Sequence, residues 1–206
     1  IEALRSLMSD NGWDAVVITG SDPHSSEYPA PRWKQVEWLT GFTGEAGDVV
    51  VTADHAGLWT DSRYFIQALD QLEGTGVELH KTRVPDAVSI PDWLSGKARV
   101  VAVDGLCQSV SAVQELEVAL GEGCLVVDVP DMLQELWDDR PQIPVTPVTT
   151  LDVECFGGIP RMEKISWLRK WMLIEGYDKV LLSSLDEVAW MLNVRGSDIE
   201  YNPLVI

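Results

Sequence analysis

Ile1-Glu-Ala-Leu-Arg-Ser-Leu-Met-Ser-Asp-Asn-Gly-Trp-Asp-Ala-Val-Val-Ile-Thr19 returns, in part, near the other end of the same chain. Leu4, Arg5, Met8, Gly12, Asp14 and Val16 recur as Leu168, Arg169, Met172, Gly176, Asp178 and Val180, each 164 positions later and without a gap. Trp13 meets Tyr177 in the same register. In the first copy, Ile1, Leu4, Leu7 and Met8 fall at helical spacing, and Asn11-Gly12 supplies a C-terminal stop. Ala15–Thr19 is a short apolar run, the mark of a strand buried on both faces. Helix, turn and strand recur together, so the two segments are expected to share one fold.

Working outward, Gly20 to Arg32 reads as a loop, punctuated by Pro23, Pro29 and Pro31. Val49–Thr52 and Gly57–Thr60 read as a hairpin around Ala53-Asp-His-Ala56. Asp61 is placed to cap a helix that carries Tyr64, Phe65, Ala68 and Leu69 inward. Val77–Thr82, Val100–Asp104 and Leu125–Val129 look extended; Val110–Leu120 and Met132–Asp138 look helical. Trp190–Val194 reads as a strand closed by a turn at Arg195-Gly-Ser-Asp198. Alternation of this kind predicts an α/β fold, a mixed-sheet sandwich with helices on both faces. Pro141, Pro144 and Pro147 stud a connector. The expected organisation is a first domain over 1–140, a connector over 141–160 and an incomplete second copy over 161–206. A domain usually needs about 100–150 residues, whereas the second copy has 46.

Composition excludes several classes of partner. The 206 residues carry 33 acidic and 15 basic side chains, a formal net charge of −18. Nucleic acid and anionic membranes both require a cationic footprint, so neither is an expected partner. No apolar run approaches the ~20 residues of a membrane span. Cys107, Cys124 and Cys155 are odd in number, widely spaced and without a CxxC pair. They read as reduced thiols in a reducing, cytoplasmic setting rather than as a zinc knuckle.

Catalytic constellations are missing from the sequence pattern. His24, His55 and His80 have no HxxxH or HxxE partner. Asp138 and Asp139 are neighbours that would diverge by about 100° on a helix. Glu115 and Glu117 do not share a helix face. No Ser/His or Cys/His pair has a nucleophile context. Gly41, Gly44 and Gly47 lie before a strand pattern, not before a helix, so they make no phosphate cradle. No catalytic residue and no metal ligand is expected in this chain.

Three segments carry a family resemblance: Asp22-Pro-His-Ser-Ser-Glu-Tyr28 with Glu37–Gly47, then Leu58–Ala68, then Leu185–Pro203. In order and spacing they resemble the long, three-domain Xaa-Pro aminopeptidases, over essentially the whole chain. The third segment separates these enzymes from two-domain prolidases and creatinases. The resemblance implies two related creatinase/prolidase-like α/β domains ahead of a pita-bread peptidase domain. That last domain would hold two metal ions, usually manganese. It also implies a substrate peptide with proline at the second position, a homodimer, and N-terminal domains that wall the cleft and gate access to it. Asp22, His24, Glu37 and Arg195 are the expected rim residues. Val36 departs from the pattern, because related enzymes commonly carry an arginine just before the Glu-Trp pair. Two other readings keep the fold: a binding or scaffolding pseudoenzyme, and the N-terminal region of a creatinase/prolidase-type C–N hydrolase.

Overall fold

The computed structural model describes residues 1–156 and 158–206. The chain divides into two compact units. The first comprises Ile1–Glu27 with Pro31–Pro141; the second comprises Tyr28–Ala30 with Gln142–Ile206.

The first unit is built on six strands: β1 (Ala15–Thr19), β2 (Asp48–Thr52), β3 (Ala56–Thr60), β4 (Glu78–Lys81), β5 (Val100–Val103) and β6 (Leu125–Asp128). Their order is β4-β3-β2-β1-β5-β6. The β1–β2 and β2–β3 pairs are antiparallel, and β3–β4, β1–β5 and β5–β6 are parallel. The sheet is therefore mixed. Five helices accompany it: α1 (Glu2–Asn11), α2 (Gln35–Thr40), α3 (Phe65–Gln71), α4 (Ile90–Leu94) and α5 (Val110–Leu120). The period of two along a strand sorts the core into two layers. Val16, Ile18, Val49 and Val51 pack with Leu4, Met8, Val36, Phe42 and Ala68. Ala15, Val17, Val50 and Val101 pack with Leu94, Leu116 and Leu120. The layers place α1, α2 and α3 on one face and α4 and α5 on the other, as the alternation predicts.

Local chemistry sets the element ends. Ser89 and Ser109 cap α4 and α5 by accepting from the backbone N–H groups of Asp92 and Ala112. Gly12 ends α1 in the left-handed region at φ 69°, which a side chain would resist. Asp14 then ties the start of β1 to β5 by accepting from the N–H groups of Arg99 and Val100, at 2.8 and 2.9 Å.

In the second unit, β7 (Thr149–Thr150) pairs antiparallel with β8 (Val194–Arg195), accompanied by α6 (Val153–Phe156), α7 (Arg161–Glu175) and α8 (Leu185–Leu192). The repeat is visible at the end of α7. Gly176 takes φ 74°, and the N–H of Tyr177 bonds Met172 O at 2.9 Å, as Trp13 bonds Met8 O at 2.9 Å.

Five sequence expectations are corrected. Val180–Leu182 forms no strand among the described residues, so helix and cap repeat but the ladder does not. Met132–Asp138 is a series of single turns, not a helix. Asp131 enters it at φ 61°, and buried arginines hold it in place of an i→i−4 ladder. Leu69 is exposed, because Ala68 and Leu72 face the core and Leu69 lies about 100° round the helix from Ala68. Asp61 does not cap α3: Tyr64 holds the N-cap position, and the Asp61 carboxylate turns to Arg63 instead. Trp190 belongs to α8, since an apolar run such as Val188–Leu192 does not by itself distinguish helix from strand.

Candidate functional site

Asp22 is 1% exposed, so its carboxylate faces inward. Oδ1 accepts from the N–H groups of His24 and Ser26, both at 2.9 Å, an arrangement that folds the loop over its own acid. Oδ2 is buried with no hydrogen-bond partner among the described residues. His24 is exposed on that loop, and Glu37 is exposed in the first turn of α2. Val36 packs into the core and offers no donor. Gln35, also buried, donates from Nε2 to Thr19 O at 3.3 Å.

Arg32 and Arg140, both buried, share one partly exposed carboxylate. Arg32 Nη2 donates to Asp131 Oδ2 at 2.6 Å and to Gln134 Oε1 at 2.9 Å, and Nη1 donates to Pro141 O at 3.1 Å. Arg140, whose side chain is 1% exposed, donates to Asp131 Oδ1 and to Arg32 O. One carboxylate thus holds two guanidiniums and closes the first unit on itself. The Asp131 side chain is 34% exposed, so solvent screens part of the attraction and the full cost of breaking a buried pair does not apply. These contacts are structural.

In the second unit Arg195 is half-buried, and Nη1 donates to Ala189 O and Val194 O at 3.2 and 2.7 Å. Asn193, left-handed at φ 54°, accepts from Lys164 Nζ and donates to Ile159 O. Asp198 Oδ1 accepts from the N–H and hydroxyl of Thr146, at 2.8 and 2.7 Å. The segment the sequence reads as a turn begins inside β8 at Arg195, and Asp198 pins its far end to Thr146.

A third constellation lies on the first unit's sheet. His55 and His80 approach to 3.1 Å between their Nε2 atoms, and Glu78 Oε2 is 3.9 Å from His55 Nδ1. His80 stacks flat on Trp59 at 3.8 Å. Burial, and then the facing His55, hold the pKa of His80 below its ordinary value. Burial pushes the Cys107 thiol up to about 12.

Residues 1–136 match the family model described as the Creatinase/Prolidase N-terminal domain, and residues 139–206 match a second model of the same description. The chain belongs to the creatinase/prolidase N-terminal domain family.

Members named as peptidases resemble this creatinase/prolidase N-terminal chain throughout its length. Aminopeptidase P1 of Lotus japonicus is 36% identical over 212 residues, covering 100% of this chain and 32% of the relative. Xaa-Pro aminopeptidase app-1 of Caenorhabditis elegans is 36% identical over 208 residues, covering 98% and 34%. The crystal structure of X-prolyl aminopeptidase from Caenorhabditis elegans, described as a cytosolic enzyme with a di-nuclear active site, superposes with a TM-score of 0.81 at 38% identity. The match covers 92% of this chain and 32% of that one. The chain spans about a third of the length of the curated relatives it matches.

A dinuclear centre needs carboxylates converging so that two metals, about 3.5–4 Å apart, share one nucleophilic oxygen. The described residues of this family member gather one potential ligand group, His55, Glu78 and His80. Two imidazoles and a single carboxylate do not fit that centre, and no step of a dinuclear reaction is assigned to them. No described helix is long and apolar enough to cross a membrane. Sequence reasoning missed the histidine pair because 25 residues separate its members. The available signal was the alternation His55-Ala-Gly57-Leu-Trp59 beside Glu78-Leu-His80, which puts these side chains on one face once β3 and β4 pair.

Proposed function

We propose that this chain is the N-terminal, non-catalytic region of a metal-dependent Xaa-Pro aminopeptidase that removes the residue preceding proline. The observation that carries the reading is similarity over 92% of this chain, at 38% identity and a TM-score of 0.81, to about a third of a peptidase. In this reading residues 1–140 form the first creatinase/prolidase-like domain, 141–160 the connector and 161–206 the opening part of a second. The peptidase domain, with two manganese ions, lies outside the chain. The parent is a cytoplasmic homodimer acting on peptides with proline in second position.

The chain's part is to wall the cleft and limit which peptides enter it. His24 and Glu37, both exposed, are the rim residues proposed in the first unit; Arg195, half-buried, is the one proposed in the second. Asp22 acts as a positioning residue, because its Oδ1 fixes the loop that carries His24. An exposed charged contact is worth about 0.2–1 kcal/mol, up to about fivefold in affinity. A contact equal in ground and transition states appears in KM and not in kcat. In the full-length protein, His24→Ala combined with Glu37→Gln is therefore expected to raise KM for Xaa-Pro peptides several-fold with kcat nearly unchanged. Steady-state kinetics across a series of peptide lengths test this. Unchanged KM at every length would remove the rim role.

A further inference from the structure

We infer that His55, His80 and Glu78 form a binding site for a single divalent transition-metal ion of zinc-like character, at the edge of the first unit's sheet. The inference does not depend on the proposed function.

The parallel pairing of β3 with β4 sets Gly57 opposite Glu78 and Trp59 opposite His80. Side chains on one face repeat every second residue, so Gly57, Trp59, Glu78 and His80 share a face, and His55 continues that alternation just before β3. Gly57 makes the room. A Cβ there would lie 2.7 Å from His55 Nε2, 2.7 Å from His80 Cδ2 and 2.7 Å from Trp59 Cζ3, closer than real Cβ atoms approach. The rings therefore converge over the one position on that strand without a side chain.

Both rings are held from outside. His80 lies flat on Trp59, and His55 is tilted against Trp93 at 4.7 Å. Two nitrogens 3.1 Å apart, each about 2.05 Å from one ion, subtend about 98° there, between octahedral and tetrahedral values. One donor atom from each of the three residues lies within 4.8 Å of the others. Glu78 has a largely exposed side chain, so its carboxylate is free to swing onto the ion. Two imidazoles and a carboxylate suit zinc, copper or nickel better than calcium or magnesium, which prefer oxygen. Lys97, with its ammonium 3.8 Å over the Trp93 ring, is the facing cation and opposes the ion, whereas the net charge of −18 favours it.

Zinc chloride is the probe. Calorimetry of this chain is expected to show one equivalent bound. Histidine side-chain NMR should show the His55 and His80 resonances shifting and those of His24 staying in place. His80→Gln, which keeps a polar side chain against Trp59, should weaken binding at least about tenfold, since even the outer contacts of a metal site are worth about 10–100-fold. Glu78→Gln should weaken it less. If zinc leaves the His55 and His80 resonances unmoved, the 3.1 Å contact is a plain N–H···N hydrogen bond and the site is overturned. Binding that survives the double change His55→Gln, His80→Gln at full strength also overturns it, assigning the zinc to surface carboxylates.

Discussion

Asp61 follows β3 directly, and its carboxylate meets guanidiniums from two directions. Arg63 forks onto it with Nε and Nη2 at 2.9 and 2.8 Å, and Arg83 approaches to 3.9 Å. The bidentate hydrogen bonds from Arg63 lower its pKa from 3.8 to about 2, against the burial that raises it. A depressed carboxyl stabilises the fold above its unfolded pKa, and that contribution fades as pH falls through 3.8 toward 2. Asp61→Asn is therefore expected to be less stable than the parent sequence at neutral pH, with the gap narrowing steadily below about pH 5. Urea midpoints of the two proteins at pH 7, 4 and 2.5 measure it. A gap of constant size would mean that the carboxylate's charge contributes nothing. Arg63 beside Asp61 was legible in the sequence, because the pair lies two residues apart. The two guanidiniums on Asp131 were not, because Arg32 reaches it across 99 residues.

The twin segments make the cleanest comparison between elements. Ala15–Thr19 is paired on both sides, by β2 and β5, whereas Val180–Leu182 follows an equivalent helix cap without a ladder. Amide exchange should divide them: the amides of Val16, Val17 and Ile18 protected, those of Leu181 and Leu182 exchanging near the rate of an unstructured chain. Protection of both segments to the same degree would show that the second strand has found a partner in solution. The same pair shows what a sequence carries and what it does not. A run such as Ala15–Thr19 announces a doubly buried strand, and Gly12 and Gly176 announce left-handed caps, because each follows from local sterics. Ser109 and Gly121 likewise bounded α5 at its observed limits. Met132–Asp138 and Trp190–Val194 were misread because periodicity in a short apolar run is ambiguous and long-range contacts decide. The convergence of His55 with His80 depends on the register of β3 against β4, which neither segment specifies alone.

Across the whole molecule, the account rests on what the chain contains and on what it resembles. The second unit exposes large apolar side chains on and after α7: Trp167, Leu173, Ile174 and Leu181, the last at 90%. Surface of that kind is used for contact more often than it is left to water. The first unit, in contrast, completes a six-stranded sheet with a core layer on each face. Neither unit gathers, among its described residues, the carboxylate-rich ligand set that dinuclear peptide hydrolysis requires. The most direct measurement compares this purified chain with the full-length protein, each supplied with manganese and an Xaa-Pro-Xaa peptide, with and without a chelator. The full-length protein is predicted to release the N-terminal residue in a chelator-sensitive reaction and this chain to release none. Chelator-sensitive turnover by this chain alone, or none by the full-length protein, would contradict the account.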